Sequence, residues 1–468
     1  MGFDKFGGTG AGGVSMRKQE TDIVVVGAGN IGISVAYHVK AMAPTKHVVL
    51  LDRGQPLSFT SAQSGENYRN WWPHPVMKRF MDRSIELMEG LAAETDNRIA
   101  MTRRGYALAT RQANIEAYLG ELQECYDETP ERGLRFHGEA REPRYEESVT
   151  SDQAGAMEGV DIVTHSGLVQ RVFPWLDREV RTVIHIRRGG DISGQQLGQI
   201  MLERFRELGG ARETAEVVNI ASNGRFALDL RDGSTITSEV LVNAAGPFVN
   251  AIAGMLNLEL PIRNVVQQKL AFEDSRGAIS RRMPFTIDLD PQFLDWDEEE
   301  RDLLLQDPRM ARFAGEMPGA IHCRPDGGEK GTWIKLGWAF NEEPTEASFE
   351  PNFDDSFPEI VLRGAARLHP KLKAYYGRLP RGAVHYGGFY TMTEENWPLI
   401  GPMGMDGAFL AGAMSGFGTM AACAAGELCA KWVLGRPLPD HAGALSLQRH
   451  DDRALMDDLT DRANKGLL

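Results

Sequence analysis

The chain has 468 residues, room for two or three structural units of roughly 100–200 residues each. Hydrophobic residues make up 42% and charged residues 25%, the balance of a globular protein that buries a core without disulfide staples. A formal net charge of −14 and the lack of a long Lys/Arg run argue against nucleic-acid binding, which needs a basic face.

Residues 1–20 carry charges and glycines but no apolar segment of a secretory signal, and read as a flexible tail. They contain "GGTGAGG", where Gly8, Gly10 and Gly13 match G-x-G-x-x-G. No strand precedes this match and a polar stretch follows, so it lacks the context that holds a dinucleotide. "TDIVVVGAGNIGISVAYHVKAM" has that context. Ile23 to Val26 reads as a strand buried on both faces. Gly27 permits the turn, Gly29 lets phosphate approach the backbone, and Gly32 lets the helix pack on the strand. Asn30 and Ile31 open that helix, whose N-terminus faces a pyrophosphate. A second strand, "HVVLLD", ends at Asp52, twenty residues after Gly32, where a ribose-binding carboxylate belongs. Asp52 favours a ribose without a 2′-phosphate, as in NAD or the adenosine half of FAD, and Arg53 beside it is a further cofactor-binding candidate.

The next loop, "SFTSAQSGENYRNWWPHP", supplies Thr60, Ser61, Ser64 and Gly65 for a pyrophosphate or a flavin edge. "GQQLGQIMLERFRELGG" reads as a helix leading to another strand. Val240 to Asn243 is a strand that runs into Ala244, Ala245, Gly246 and Pro247, a turn small enough for close approach to a cofactor. "LDWDEEERDLLLQDPRM" is an acidic helical insert with a solvated face, and "WIKLGWAF", Trp333 to Phe340, is a strand. Near the end, Ala408 to Ala411 reads as a strand, Ser415 to Gly418 as a Gly-rich turn, and Thr419 to Leu434 as a helix. A second cradle of this kind suits the electron-rich edge of a reduced flavin, since a helix start offers free N–H groups and a positive dipole end. A nicotinamide enzyme has no need of it. The uncharged run Gly407 to Gly426 is long enough for a membrane span, but its five glycines favour strand, turn and helix.

Together these motifs resemble the D-amino-acid oxidase superfamily, in its glycine oxidase and monomeric sarcosine oxidase branch, over most of residues 20–440. The resemblance implies an α/β fold: a discontinuous Rossmann-like FAD-binding domain with a β-sheet-rich substrate domain, of the glutathione-reductase-like type. Residues 21–100, 161–261 and 381–468 are assigned to the FAD-binding domain, and 101–160 and 262–380 to the substrate domain. It also places backbone near Val217 and Val218 against adenine. Ser415, Gly416, Phe417, Gly418 and Thr419 would hold the flavin.

Two departures matter. Sarcosine oxidases tether flavin to a Cys two positions before a Tyr-Thr pair, where this chain has Gly388 before Tyr390 and Thr391. FAD is therefore expected to be non-covalent, with His74 and His385 the remaining side chains for a histidyl link. The lysine that holds the substrate carboxylate in those enzymes is Met420 here. Arg69 is the best replacement, because its fork can bind a carboxylate bidentately. Lys335 and Lys269 are candidates for oxygen activation. His385, Tyr386 and Tyr390 are candidates for orienting an amine, and Trp71 and Trp72 for walling the pocket.

The expected chemistry is hydride transfer to flavin N5 from the carbon beside an amine nitrogen, in a secondary, N-substituted or D-amino acid, with hydrolysis of the imine. The electron acceptor is oxygen or another carrier. One alternative is a 2-hydroxy acid dehydrogenase with His74 or His385 as base. Another is a flavin-bearing subunit without turnover. Cys125, Cys323, Cys423 and Cys429 fit no zinc spacing, no metal is expected, and reduced thiols fit a cytoplasmic protein.

Overall fold

A computed structural model describes residues 18–126, 133–138, 144–148, 157–328 and 330–461. The glycine match at residues 7–13 lies outside them.

Two sheets organise the chain. The first has eight strands. Its parallel centre is Ala211–Thr214, Val48–Asp52, Lys18–Val26 and Thr235–Asn243, with Ala408–Gly412 beside the last. Val217–Ser222 and Phe226–Leu230 form an antiparallel meander on one edge, and Leu399–Pro402 pairs with Ala408–Gly412. Ile23, Val25 and Leu50 face a layer of helices, among them Asn30–Met42, Gly194–Glu207 and Gly418–Val433. Val24, Val26, Val49 and Leu51 face the meander. Both faces are covered, so the strands read as unbroken apolar runs.

The second sheet has nine strands. In the Arg263–Glu273 strand, Leu270 and Phe272 point to a core capped by the helix Phe357–Leu368. The alternate positions Gln267 and Lys269 point to the opposite face. Register puts Gly388 and Tyr386 beside them, and carries the row through Gly337 to His322. That face looks onto the first sheet's cofactor end.

Three boundaries differ from the sequence assignment. The first strand begins at Lys18, inside the segment read as tail. Val160–Val163 and Thr182–Ile186 pair within the nine-stranded sheet, whereas the sequence assignment put residues 161–186 with the segments of the first sheet. Val384–Met392 pairs along Arg263–Glu273, so the third FAD-binding segment starts after it. Hydrophobic alternation marks a strand but not the sheet it joins. The run Gly407 to Gly426 is indeed strand, turn and helix, and no described helix is long and apolar enough to cross a membrane.

Candidate functional site

A cavity of ≈ 680 Å³ opens at the carboxyl ends of the parallel strands, where open α/β sheets place their ligands. The first turn builds one wall. Gly27 has φ +108, and a Cβ there would meet Ala244 O at 2.3 Å. A Cβ on Gly32 would meet Gly27 O at 1.8 Å, so Gly32 serves packing and does not line the cavity. Asp52 Oδ2 accepts from Ala28 N–H and Oδ1 from Gly54 N–H, both at 2.7 Å. The carboxylate thus ties the glycine turn to the loop after the second strand. Ser61 Oγ accepts from Asn30 N–H at 3.0 Å.

Of the cofactor residues expected from sequence, Gly27, Gly29, Asn30, Ile31, Asp52, Arg53, Ser61, Ser64 and Gly65 line this cavity. So do Ala245, Gly246, Ser415, Gly416, Gly418 and Thr419. Val218 does not: it is 43% exposed on the outer side of its strand, and Val217 lines the cavity in its place. Phe417 faces a smaller pocket behind, with its ring 4.6 Å from that of Trp72. The turn before the last long helix is tightly coiled, with Ala413, Ser415 and Gly416 all at positive φ. It leaves the first-turn N–H groups of Gly418–Val433 without intrahelical acceptors.

These walls fit FAD. The strand ends and Asp52 suit an adenosine diphosphate, and the second helix start suits the ring system. Ser415 Oγ, Thr60 Oγ1 and the Asn30 amide are buried on the cavity wall and have no hydrogen-bond partner among the described residues, and buried polar groups in native proteins rarely go unsatisfied. None of the four cysteines lines the cavity, nor does His74 or His385, the two side chains considered for a flavin link.

The catalytic candidates separate. His74 caps the helix Pro75–Glu94, its Nδ1 accepting from Val76 N–H at 3.1 Å, and its Nε2 lies 3.2 Å from Asp458. His385 is opposite Leu270 in the register, on the sheet face turned from the cavity, with Nε2 2.9 Å from Gln268 Oε1. Both are therefore structural in position. Lys335 is outside the cavity, paired with Glu66 at 2.8 Å and Asp326 at 3.4 Å. Tyr390 and Arg69 remain at the site.

Behind the large cavity lies a pocket of ≈ 30 Å³. The two share Gly65, Lys269, Tyr390, Ser415 and Gly416. Arg69 lies in the inner pocket, 1% exposed, with Nε donating to Trp71 O at 3.1 Å. Its guanidinium stacks near Trp72 and Tyr106, 4.7 and 5.0 Å from the ring centres, and has no carboxylate partner among the described residues. Burial lowers its pKa. His322 also lines the pocket and stacks on Phe285 at 5.0 Å. Burial, then the nearby Lys269 charge, lowers its pKa to about 3, so the imidazole is neutral. Asn67, Phe285, His322 and Met420 complete a wall that contains no Asp or Glu. His322 was not read from sequence, because only the pairing of its strand with Trp333–Trp338 brings it here.

The double cradle on two sheets defines an FAD-dependent oxidoreductase. The chain belongs to the DAO family of FAD dependent oxidoreductases, whose family model matches residues 22–432. Human mitochondrial dimethylglycine dehydrogenase is 23% identical over 432 residues, 90% of this chain. The chain spans 43% of that relative's length. The fold is also that of L-proline dehydrogenase from P. horikoshii, with TM-score 0.70, 18% identity and coverage of 93% of this chain and 99% of that one. Glycine oxidase from Geobacillus kaustophilus superposes with TM-score 0.67 at 17% identity, covering 92% and 99%.

Proposed function

We propose that this enzyme oxidises the carbon beside the nitrogen of a carboxylate-bearing amine, an amino acid of the secondary, N-substituted or D class. The observation that carries the reading is Arg69: a buried guanidinium without a carboxylate partner, in a pocket free of acids, at the inner end of the FAD cavity. A buried charge without a counter-ion costs several kcal/mol by order of magnitude, and an anionic substrate group supplies what the protein does not. The relatives named above are a dehydrogenase of dimethylglycine, one of L-proline and an oxidase of glycine, all carboxylated amines.

Bound FAD supplies the two-electron acceptor. The chain's residues bind and position. Arg69 holds the carboxylate and so fixes which carbon faces the flavin, the kind of orientation that lowers a barrier without strong acid or base groups. Trp72, Phe417 and Phe285 keep water from the reacting carbon. Neutral His322 adds no charge to the pocket wall and leaves the two cations as its charged groups. The free N–H groups at the start of Gly418–Val433, with Ser415 Oγ, would hold the electron-rich ring edge. The hydroxy-acid alternative loses the two bases it invoked, since His74 and His385 lie outside the cavity.

The test is anaerobic bleaching of the flavin by a substrate panel. N-methyl amino acids, D-amino acids or proline should bleach it, and their decarboxylated analogues should not. Bleaching by 2-hydroxy acids alone, or equally by uncharged amines, sinks the reading.

A further inference from the structure

The Arg69 pocket contains a second cation. Lys269 is 7% exposed, and its Nζ makes no hydrogen bond or ion pair with any described residue. The nearest compensation is the ring of Tyr390, 5.7 Å away, and a cation–π contact offsets only a small part of the cost of burying an ammonium. Burial first, and then the like charge of Lys335, lower its pKa to about 8.

The contrast between these two lysines is informative. They project from adjacent strands onto one face, Lys269 opposite Gly337 and Lys335 opposite Ala271. Lys335 is neutralised by Glu66 and Asp326. The acids within reach are therefore shared between Lys335 and Arg324, and Lys269 has no counter-ion among the described residues. Gly337, having no side chain, leaves the space that the His322 ring fills: a Cβ there would lie 2.2 Å from Nε2. In a chain with a formal net charge of −14, an acid-free pocket that holds two buried cations without a counter-ion among the described residues is suited to an anion.

We propose that Lys269 and Arg69 together form the carboxylate clamp, each taking one oxygen of the substrate carboxylate. The inference rests on the amine and amino-acid reading above and assigns it a second specificity residue. Met420 lines the same pocket, at the position where the sarcosine oxidase resemblance would put the clamping lysine. The positive charge is thus supplied from the sheet, not from the start of the last long helix.

The test uses the oxidised holoenzyme, with propionate and propionamide as probes and the flavin absorbance as readout. Propionate should bind wild type, and Lys269→Met should weaken it at least 10-fold, with no change for propionamide. For a carboxylated amine that bleaches the flavin, KM should rise at least 10-fold with kcat changed less than 3-fold. Lys269→Arg, which keeps the charge, should retain most of the affinity and covers the case in which Lys269→Met does not fold. The ligand-free Lys269→Met protein should melt no lower than wild type, because a bare buried charge has been removed. Unchanged propionate affinity and KM in Lys269→Met overturn the proposal, as does an effect confined to reoxidation by oxygen. If propionate weakens with Arg69→Met but not with Lys269→Met, the amino-acid reading stands and this clamp falls. If wild type binds no carboxylate at all, both fall.

Discussion

Gly416 lies against the ring of Tyr390, so closely that a Cβ at 416 would come within 2.3 Å of it. One residue belongs to the turn before the last long helix, the other to the edge strand of the nine-stranded sheet. Their contact is where the FAD-binding side meets the substrate side, and both residues line both cavities. Gly416 also has φ +90, a conformation that L side chains rarely adopt. Gly416→Ala must therefore displace Tyr390 or uncoil the turn. The expected outcome is purified protein with less than half the FAD content of wild type and a lowered melting temperature, read by absorbance and thermal melting.

Asp52 organises the adenosine end through the N–H groups of Ala28 and Gly54. Hydrogen bonds to a charged acceptor contribute about 1.5–3 kcal/mol each. Asp52→Ala should weaken FAD binding about 10–100-fold, measured by titrating the apoprotein with FAD. Unchanged affinity would remove Asp52 from the cofactor site.

Phe349 crosses from the loop after Trp333–Trp338 onto the FAD-binding side. It is 44% exposed, yet it stacks on Phe248 at 4.3 Å and lies under the Arg53 guanidinium at 3.9 Å. The flanks of its loop are fastened by other bonds, Thr345 N–H to Asn264 O and Asp354 N–H to Gln268 Oε1. Phe349 therefore latches the loop over the cofactor mouth. An aromatic pair contributes about 0.5–1.5 kcal/mol beyond burial, so Phe349→Ala should speed FAD release about 3–10-fold. A release rate equal to wild type, followed by fluorescence of freed flavin, would show that the loop does not gate the cofactor.

Asp161 is buried among three cationic or titratable partners. Arg135 Nε donates to it at 2.7 Å, His137 Nε2 is 2.7 Å away, and Arg187 Nε also donates to it. Burial alone would raise its pKa, but the hydrogen bonds from His137 and Arg135 and the Arg187 charge hold it well below the usual carboxylate range. A carboxyl depressed on folding adds stability above its unfolded pKa, and that stability is lost as pH falls toward the folded value. Asp161→Asn should cost about 3–5 kcal/mol at neutral pH, because it leaves buried guanidinium groups short of charge. The difference from wild type should be full above about pH 5 and shrink below about pH 4, in denaturant melts run across that range. A constant difference would mean that packing, not charge, is what the substitution removes.

The cofactor side was legible from sequence because its signals are local. The Ile23–Val26 run, the Gly27 turn and Asp52 fall within one short stretch, and Ala408 to Gly418 repeats the logic near the other end. The inner pocket was not legible, because it is set by register across strands far apart in sequence. His385 and Tyr386 are neighbours, yet one faces Gln268 and the other the cofactor side, and a slip of one residue would exchange them. Lys335 and Lys269 both read as strand lysines. Which one is neutralised depends on where Glu66 and Asp326 come to lie. Val217 and Val218 differ in the same way, by the parity of an edge strand.

The large cavity draws its walls from Val26 at one end of the chain to Thr419 at the other. A ribosome adds roughly 5–20 residues per second, so the last wall arrives roughly 20–80 s after the first. A nascent chain that stops short of Ser415 lacks the turn that completes the cavity wall. Capture of FAD is thus expected to wait until the segment through Thr419 has been made.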